Sequence, residues 1–207
     1  VKLNVNTGQA TGFSAPGVTG GGRIYIDPQG KYLWLDVRVR GQQGLSAGRI
    51  DIASGTFETF TPPLGMSTGF QIQMAPDSRG NVWLASQHGG IHLNPSTKLF
   101  RFFPDATLQD GMTYGMATDS RGNGWLAKYG ADKIGFVDIE TGKASEIEMR
   151  PPWLKTDEDV LTPSDREAYA KLGVGTWGGI NQVPGRQAPR RLNYDAKADV
   201  IWGANNH

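Results

Sequence analysis

Three histidines, His88, His92 and His207, are the residues best suited to acid–base or metal chemistry in this chain. His88 sits in the short polar stretch Ser86-Gln87-His88-Gly89-Gly90. It is the best single candidate for a ligand or a catalytic acid–base group, set against an ordinary solvated loop histidine. His92 lies between Ile91 and Leu93 in an alternating run and reads as structural. His207 closes Gly203-Ala204-Asn205-Asn206-His207. No His-x-x-x-His or His-Glu-x-x-His spacing joins any of them, so no metal site is expected. Zero cysteines exclude a thiol nucleophile, a zinc-thiolate site and a CxxCH haem attachment within this sequence. Gly20-Gly21-Gly22 lacks the Lys-Ser/Thr of a phosphate loop, and no Gly-x-Ser-x-Gly nucleophile motif occurs. A second group is basic and aromatic. Lys128, Tyr129 and Asp132, with Tyr114, Arg190 and Arg191, would form a polar mouth for an anionic or hydroxylated ligand, or else an ordinary solvated rim. The candidate ligand-binding residues are therefore Ser86, Gln87, His88, Tyr114, Lys128, Tyr129, Arg190 and Asn205.

These residues are placed by a repeat. Asp77-Ser-Arg-Gly80-Asn81-Val-Trp83-Leu-Ala85 recurs 42 residues later as Asp119-Ser-Arg-Gly122-Asn123-Gly-Trp125-Leu-Ala127. Looser copies start at Asp27 and Asp195 and end at Trp34 and Trp202. A second unit, Val137-Asp138-Ile139-Glu140-Thr141-Gly142-Lys143, matches segments starting at Leu3, Ile50 and Ile91. Asp-x-x-Gly is turn chemistry: the carboxylate accepts from backbone two residues on, and glycine tolerates positive φ. Each repeat reads as four short strands, A to D. A ends at the Asp, B carries the Trp, C the apolar alternation, and Thr-Gly or Ser-Gly turns C into D. Four strands in roughly 40–45 residues make the blade of a β-propeller. Glycine, 29 of 207 residues, suits that many tight turns. The Asp-x-x-Gly-Asn turns lack the ligand density of a calcium loop and read as structural.

The fold class expected is all-β, a propeller of four-stranded blades forming part of a larger ring, the alternative being a four-bladed ring closed by pairing the two chain ends. Residues 1–18 read as strands C and D of one blade, 19–64, 65–108 and 109–152 as whole blades, and 187–207 as strands A and B of another. Residues 153–186 break the period. Inside them Thr162-Pro163-Ser164-Asp165 is a helix start and Gly173 a stop, which predicts a short helical insert. The insert is a D-to-A link, so it shares a face with the B–C loops. That face is where a small-molecule or protein partner is expected. A net charge of +1 argues against nucleic acid as partner, and no apolar run approaches the roughly 20 residues of a membrane span. The sequence opens on Val1, which reads as a mature, trimmed or partial chain.

The Asp-x-x-Gly-Asn-x-Trp-Leu unit and the Lys133-Ile-Gly-Phe-Val-Asp-Ile-Glu-Thr-Gly-Lys143 unit together resemble the streptogramin B (virginiamycin B) lyase family. Residues 113–147 carry the resemblance best, 66–102 well, 22–60 and 190–207 more weakly. The resemblance implies a bacterial propeller in a periplasmic or extracellular setting, with a divalent metal as a possible cofactor. It also extends to propellers fused to c-type cytochrome domains, so a redox protein is one alternative. That family places a histidine five residues before the turn Asp and a glutamate three after the strand B aromatic. Here the first position holds Gly22, Ile72, Tyr114 and Arg190, and the second Val37, Ser86, Lys128 and Asn205. Neither base is present. A ligand-binding or protein-interaction module is therefore the leading expectation, and a lyase or lactonase opening a cyclic ester is the alternative.

Overall fold

A computed structural model describes residues 1–66, 73–107, 112–129, 131–149, 162–171 and 189–204. The chain opens with a hairpin of β1 (Lys2–Leu3) and β2 (Ala10–Thr11). Strands β3 (Val18–Thr19), β4 (Ile24–Ile26), β5 (Tyr32–Val39), β6 (Ser46–Asp51) and β7 (Phe57–Phe60) form the first large sheet. Its path is β4-β5-β6-β7, with β3 paired to the far end of β5. The next sheet is β8 (Met74–Pro76), β9 (Val82–Ser86), β10 (Gly89–Asn94) and β11 (Leu99–Pro104). The third is β12 (Thr113–Thr118), β13 (Gly124–Lys128), β14 (Lys133–Val137) and β15 (Ala144–Glu148). Helix α1 (Pro163–Lys171) follows, then a hairpin of β16 (Arg191–Asp195) and β17 (Val200–Ala204). Every pairing is antiparallel, and the two complete four-stranded sheets follow chain order from one edge to the other. Consecutive four-stranded meanders packed face to face are the architecture of a β-propeller. Helix α1 falls within the expected insert and starts at Pro163; residues 153–161 and 172–186 of that insert, Gly173 included, lie outside the described residues.

Alternation along each strand produces the packing. On β9, Val82 and Leu84 face the first sheet and join Trp34, Ala47 and Phe60 in one core. Trp83 and Ala85 point the other way and join Met116, Leu126 and Val137 of the third sheet. Leu192 of β16 meets Ala117, Ala127 and Ile134 in the same manner. Trp83 is fully buried, and its indole N–H donates to the Gly122 carbonyl at 2.9 Å. An added Cβ on Gly124 would come within 3.0 Å of the Trp83 ring, so that position must be bare. His92 packs edge-on to Trp83, with centroids 5.0 Å apart, and lies 4.0 Å from the Asp77 carboxylate.

The turn aspartates face their own backbone. Asp77 Oδ1 accepts from the N–H groups of Arg79 and Asn81, each at 2.8 Å, and Asp119 repeats the pattern at 3.0 Å. Asp27 accepts from Lys31 and Tyr32. Gly30, Gly80 and Gly122 all take positive φ in these turns, a conformation costly for other residues.

Candidate functional site

Strands β4, β8, β12 and β16 are the first strands of four successive units, and together they wall a groove of about 900 Å³. Ile24, Ile26, Met74, Met116 and Leu192 give it apolar sides, and Tyr25, Gln73 and Arg191 are polar lining residues. The turns at Ser78 and Ser120 also border it.

An arginine–tyrosine cluster gathers where these strands begin. The Arg190 guanidinium lies 5.2 Å from the centre of the Tyr114 ring and 5.0 Å from that of Tyr129. Its Nη2 donates to the Tyr129 hydroxyl at 3.2 Å. Arg191 lies 4.6 Å from the Tyr114 ring centre, Arg23 5.6 Å, and the two tyrosine rings are 5.4 Å apart. Cation–π attraction holds guanidinium groups at such distances. Three positive charges so close repel each other, which favours an anion between them. Among the described residues no carboxylate pairs with Arg190 or Arg191. Among the described residues Arg190 Nε, Arg191 Nη1 and Gln73 Oε1 are buried without a hydrogen-bond partner. Unpartnered buried polar atoms are uncommon and mark places where a further group is wanted.

Local backbone explains how the cluster forms. The β12–β13 register slips between Thr113 and Gly115, so Tyr114 occupies a β-bulge. A bulge re-aims the side chain it carries. Gly115 lets the next unit approach: an added Cβ would clash with the Arg190 carbonyl and come within 3.0 Å of Gln73 Oε1. Electrostatics follow. Burial alone would raise the Tyr114 phenol, but Arg191 and Arg23 beside it, with the charge of Arg190, hold it below its usual value. Tyr25 goes the other way: burial raises it, and Arg23 only partly opposes.

The sequence-derived candidates separate into three groups. Tyr114, Tyr129 and Arg190 come together in the cluster. Lys128 does not reach it: the side chain is buried and its ammonium is paired with Asp105. Burial pushes the Asp105 carboxyl up, against the pull of Lys128. Ser86 is buried at the end of β9, while Gln87 and His88 are exposed at the turn into β10. His88 influences Asp105 electrostatically, and its carbonyl accepts from the Asp105 N–H at 3.0 Å. Asn205, His207 and Ile72 lie outside the described residues. Arg23, Tyr25 and Gln73 were not among the candidates. Their signal is positional: Arg23, Gln73, Gly115 and Arg191 each stand four residues before a turn aspartate. Equal repeat positions fall at equal depth in the groove, so two arginines and a glutamine at one position form a polar layer.

A divalent metal finds little here. Among the described residues no three His, Asp or Glu side chains come together, and a guanidinium-lined mouth repels a cation.

No protein-family model and no curated protein matches the chain. Solved structures do. A streptogramin B lyase structure aligns over 99% of this chain and 54% of its own, at a TM-score of 0.63 and 14% identity. An auxiliary nutrient binding protein from Bacteroides thetaiotaomicron aligns over 90% of this chain and 36% of its own, at 0.54 and 8%. The extracellular domain of a one component system from the same organism aligns over 90% and 20%, at 0.50 and 12%. The chain spans about half the length of the lyase structure it matches. Across 14% identity what is shared is the fold, and the chain is a β-propeller of the shape seen in streptogramin B lyase structures.

Proposed function

We propose that this propeller is a ligand-binding module that captures an anionic group at the mouth of its central groove. One observation carries the reading: Arg23, Arg190 and Arg191 converge on Tyr114. The fork of a guanidinium suits a two-oxygen anion, and partial burial strengthens each contact. A periplasmic or extracellular bacterial setting fits this role, and no helix among the described residues is long and apolar enough to cross a membrane. The test is calorimetric titration with acetate at low ionic strength. Millimolar binding that weakens with salt and is lost in Arg191→Gln supports the module. Acetate binding equal in wild type and Arg191→Gln would remove the reading.

A second reading, opening of a cyclic ester by proton abstraction, is favoured by one observation. Tyr114 stands where the resembling family places its base, and its phenol is held below the ordinary range. A base with a pKa nearer neutrality is better suited to that work. Turnover of a cyclic ester that disappears in Tyr114→Phe and survives His88→Ala would favour it over simple binding.

A further inference from the structure

We infer that the ligand is an amphipathic carboxylate, with its head at the arginine layer and an apolar body lying along the groove. This rests on the anion-binding reading above and adds the class of molecule. The groove walls change character with depth. Four residues before the turn aspartates stand Arg23, Gln73, Gly115 and Arg191; one step deeper stand Ile24, Met74, Met116 and Leu192. Met74, Met116 and Leu192 are packed into the cores between sheets, so the open apolar surface beyond the polar layer is that of Ile24 and then Ile26. Ile24 and Ile26 are each 62% exposed although they line the groove, so their apolar surface has no protein covering among the described residues. From the arginine layer to Ile26 is three residues, about 10 Å at the rise of a strand. A volume of about 900 Å³ holds far more than a small inorganic anion.

The head group follows from the donors. Arg191 Nη1 is buried and has no hydrogen-bond partner among the described residues. Gln73 is 5% exposed, lines the groove and has no partner at Oε1 among the described residues. Its carboxamide can turn to present either oxygen or N–H₂. Planar donors from a guanidinium and an amide match a planar carboxylate. The four residues of this layer are two arginines, a glutamine and a glycine, and the carboxylate beside it, Asp36, is engaged by the backbone N–H groups of Gly22 and Arg23 at 3.0 and 2.9 Å.

The experiment is a titration of the 207-residue chain with acetate, hexanoate, decanoate and hexyl sulfate, each below its micelle concentration. Full burial tightens binding about fourfold per methylene, so hexanoate should bind at least about tenfold more tightly than acetate even with partial burial. Ile24→Ser and Ile26→Ser, both at exposed positions that folding tolerates, should weaken decanoate and leave acetate unchanged. Arg191→Gln should weaken every member of the series. Equal affinity for acetate and decanoate, with loss in Arg191→Gln, overturns the amphipathic ligand and leaves anion binding standing. Decanoate binding that Arg191→Gln does not touch overturns both. Tighter binding of hexyl sulfate than of hexanoate overturns the carboxylate head.

Discussion

Replacing Gly115 with alanine tests how the arginine cluster is built. The backbone of Gly115 takes no positive φ, so the whole cost is steric. The new methyl would clash with the Arg190 carbonyl oxygen and lie 3.0 Å from the Arg190 carbonyl carbon. These are backbone atoms, and no change of rotamer relieves them. Strands β12 and β16 must part. Overpacking of this kind costs about 1–3 kcal/mol, and a rigid backbone contact belongs at the upper end. For a chain of this size that is a fall in melting temperature of about 2–4 °C per kcal/mol. The functional effect should exceed the stability effect. The Arg190–Tyr129 hydrogen bond is 3.2 Å long, so a retreat of a few tenths of an ångström breaks it. Thermal unfolding by tryptophan fluorescence reads the first effect and acetate titration the second. Gly12→Ala is the control, since nothing lies within 4 Å of its added methyl. A Gly115→Ala protein that melts and binds acetate like Gly12→Ala would refute the account of how β16 is seated.

Three further outcomes are expected. Asp105→Ala strands a buried ammonium, because Lys128 and Asp105 side chains are 1% and 3% exposed; urea unfolding should show a loss of about 3–5 kcal/mol, with Asp105→Leu/Lys128→Met recovering most of it. Asp77 is raised by burial but lowered further by His92, Asn81 and the Arg79 N–H, and Glu146 likewise by Thr107 and Lys133. Both carboxyls thus sit below their ordinary values of 3.8 and 4.5, and their stabilisation is complete above those values and lost as pH falls through and below them. Urea midpoints measured from neutral pH downward should therefore drop in the acid range, less steeply in Asp77→Asn. Spectroscopic titration should find a tyrosine that ionises below the ordinary 10.0, absent in Tyr114→Phe and moved upward in Arg191→Gln.

Much of this architecture is written in local chemistry. Asp77 and Asp119 announce their turns because the carboxylate bonds backbone within the same few residues. Trp83 and Trp125 announce β9 and β13 because a large ring recurring at fixed distance from a turn belongs between sheets. The cluster was legible only in part. Tyr114, Tyr129 and Arg190 follow from the topology of loops and strand ends. The bulge that aims Tyr114 leaves no mark in residue type. Lys128 looked like a free cation because its partner Asp105 lies in the preceding repeat, 23 residues away, and burial is not visible in sequence. Arg23 lies one residue past the repeat position that the family resemblance singles out, where Gly22 stands, and comparing the repeats four residues before the turn aspartates places it beside Arg191.

The two-sided strands carry an implication for how such a chain grows and fails. On β9, Val82 and Leu84 belong to one core and Trp83 and Ala85 to the next. The unit that repeats in sequence is therefore out of step with the unit that coheres. A duplicated 42-residue segment contributes half of two cores and a whole core only in company. Its free energy resides in junctions between neighbours, so strength propagates along the row as nearest-neighbour coupling. Damage at the Trp83 junction should loosen the second and third sheets together while leaving the Trp34–Phe60 side of the first sheet ordered. A substitution's reach is then set by which junction it enters, and sequence distance from the damaged residue is a poor guide to what melts with it.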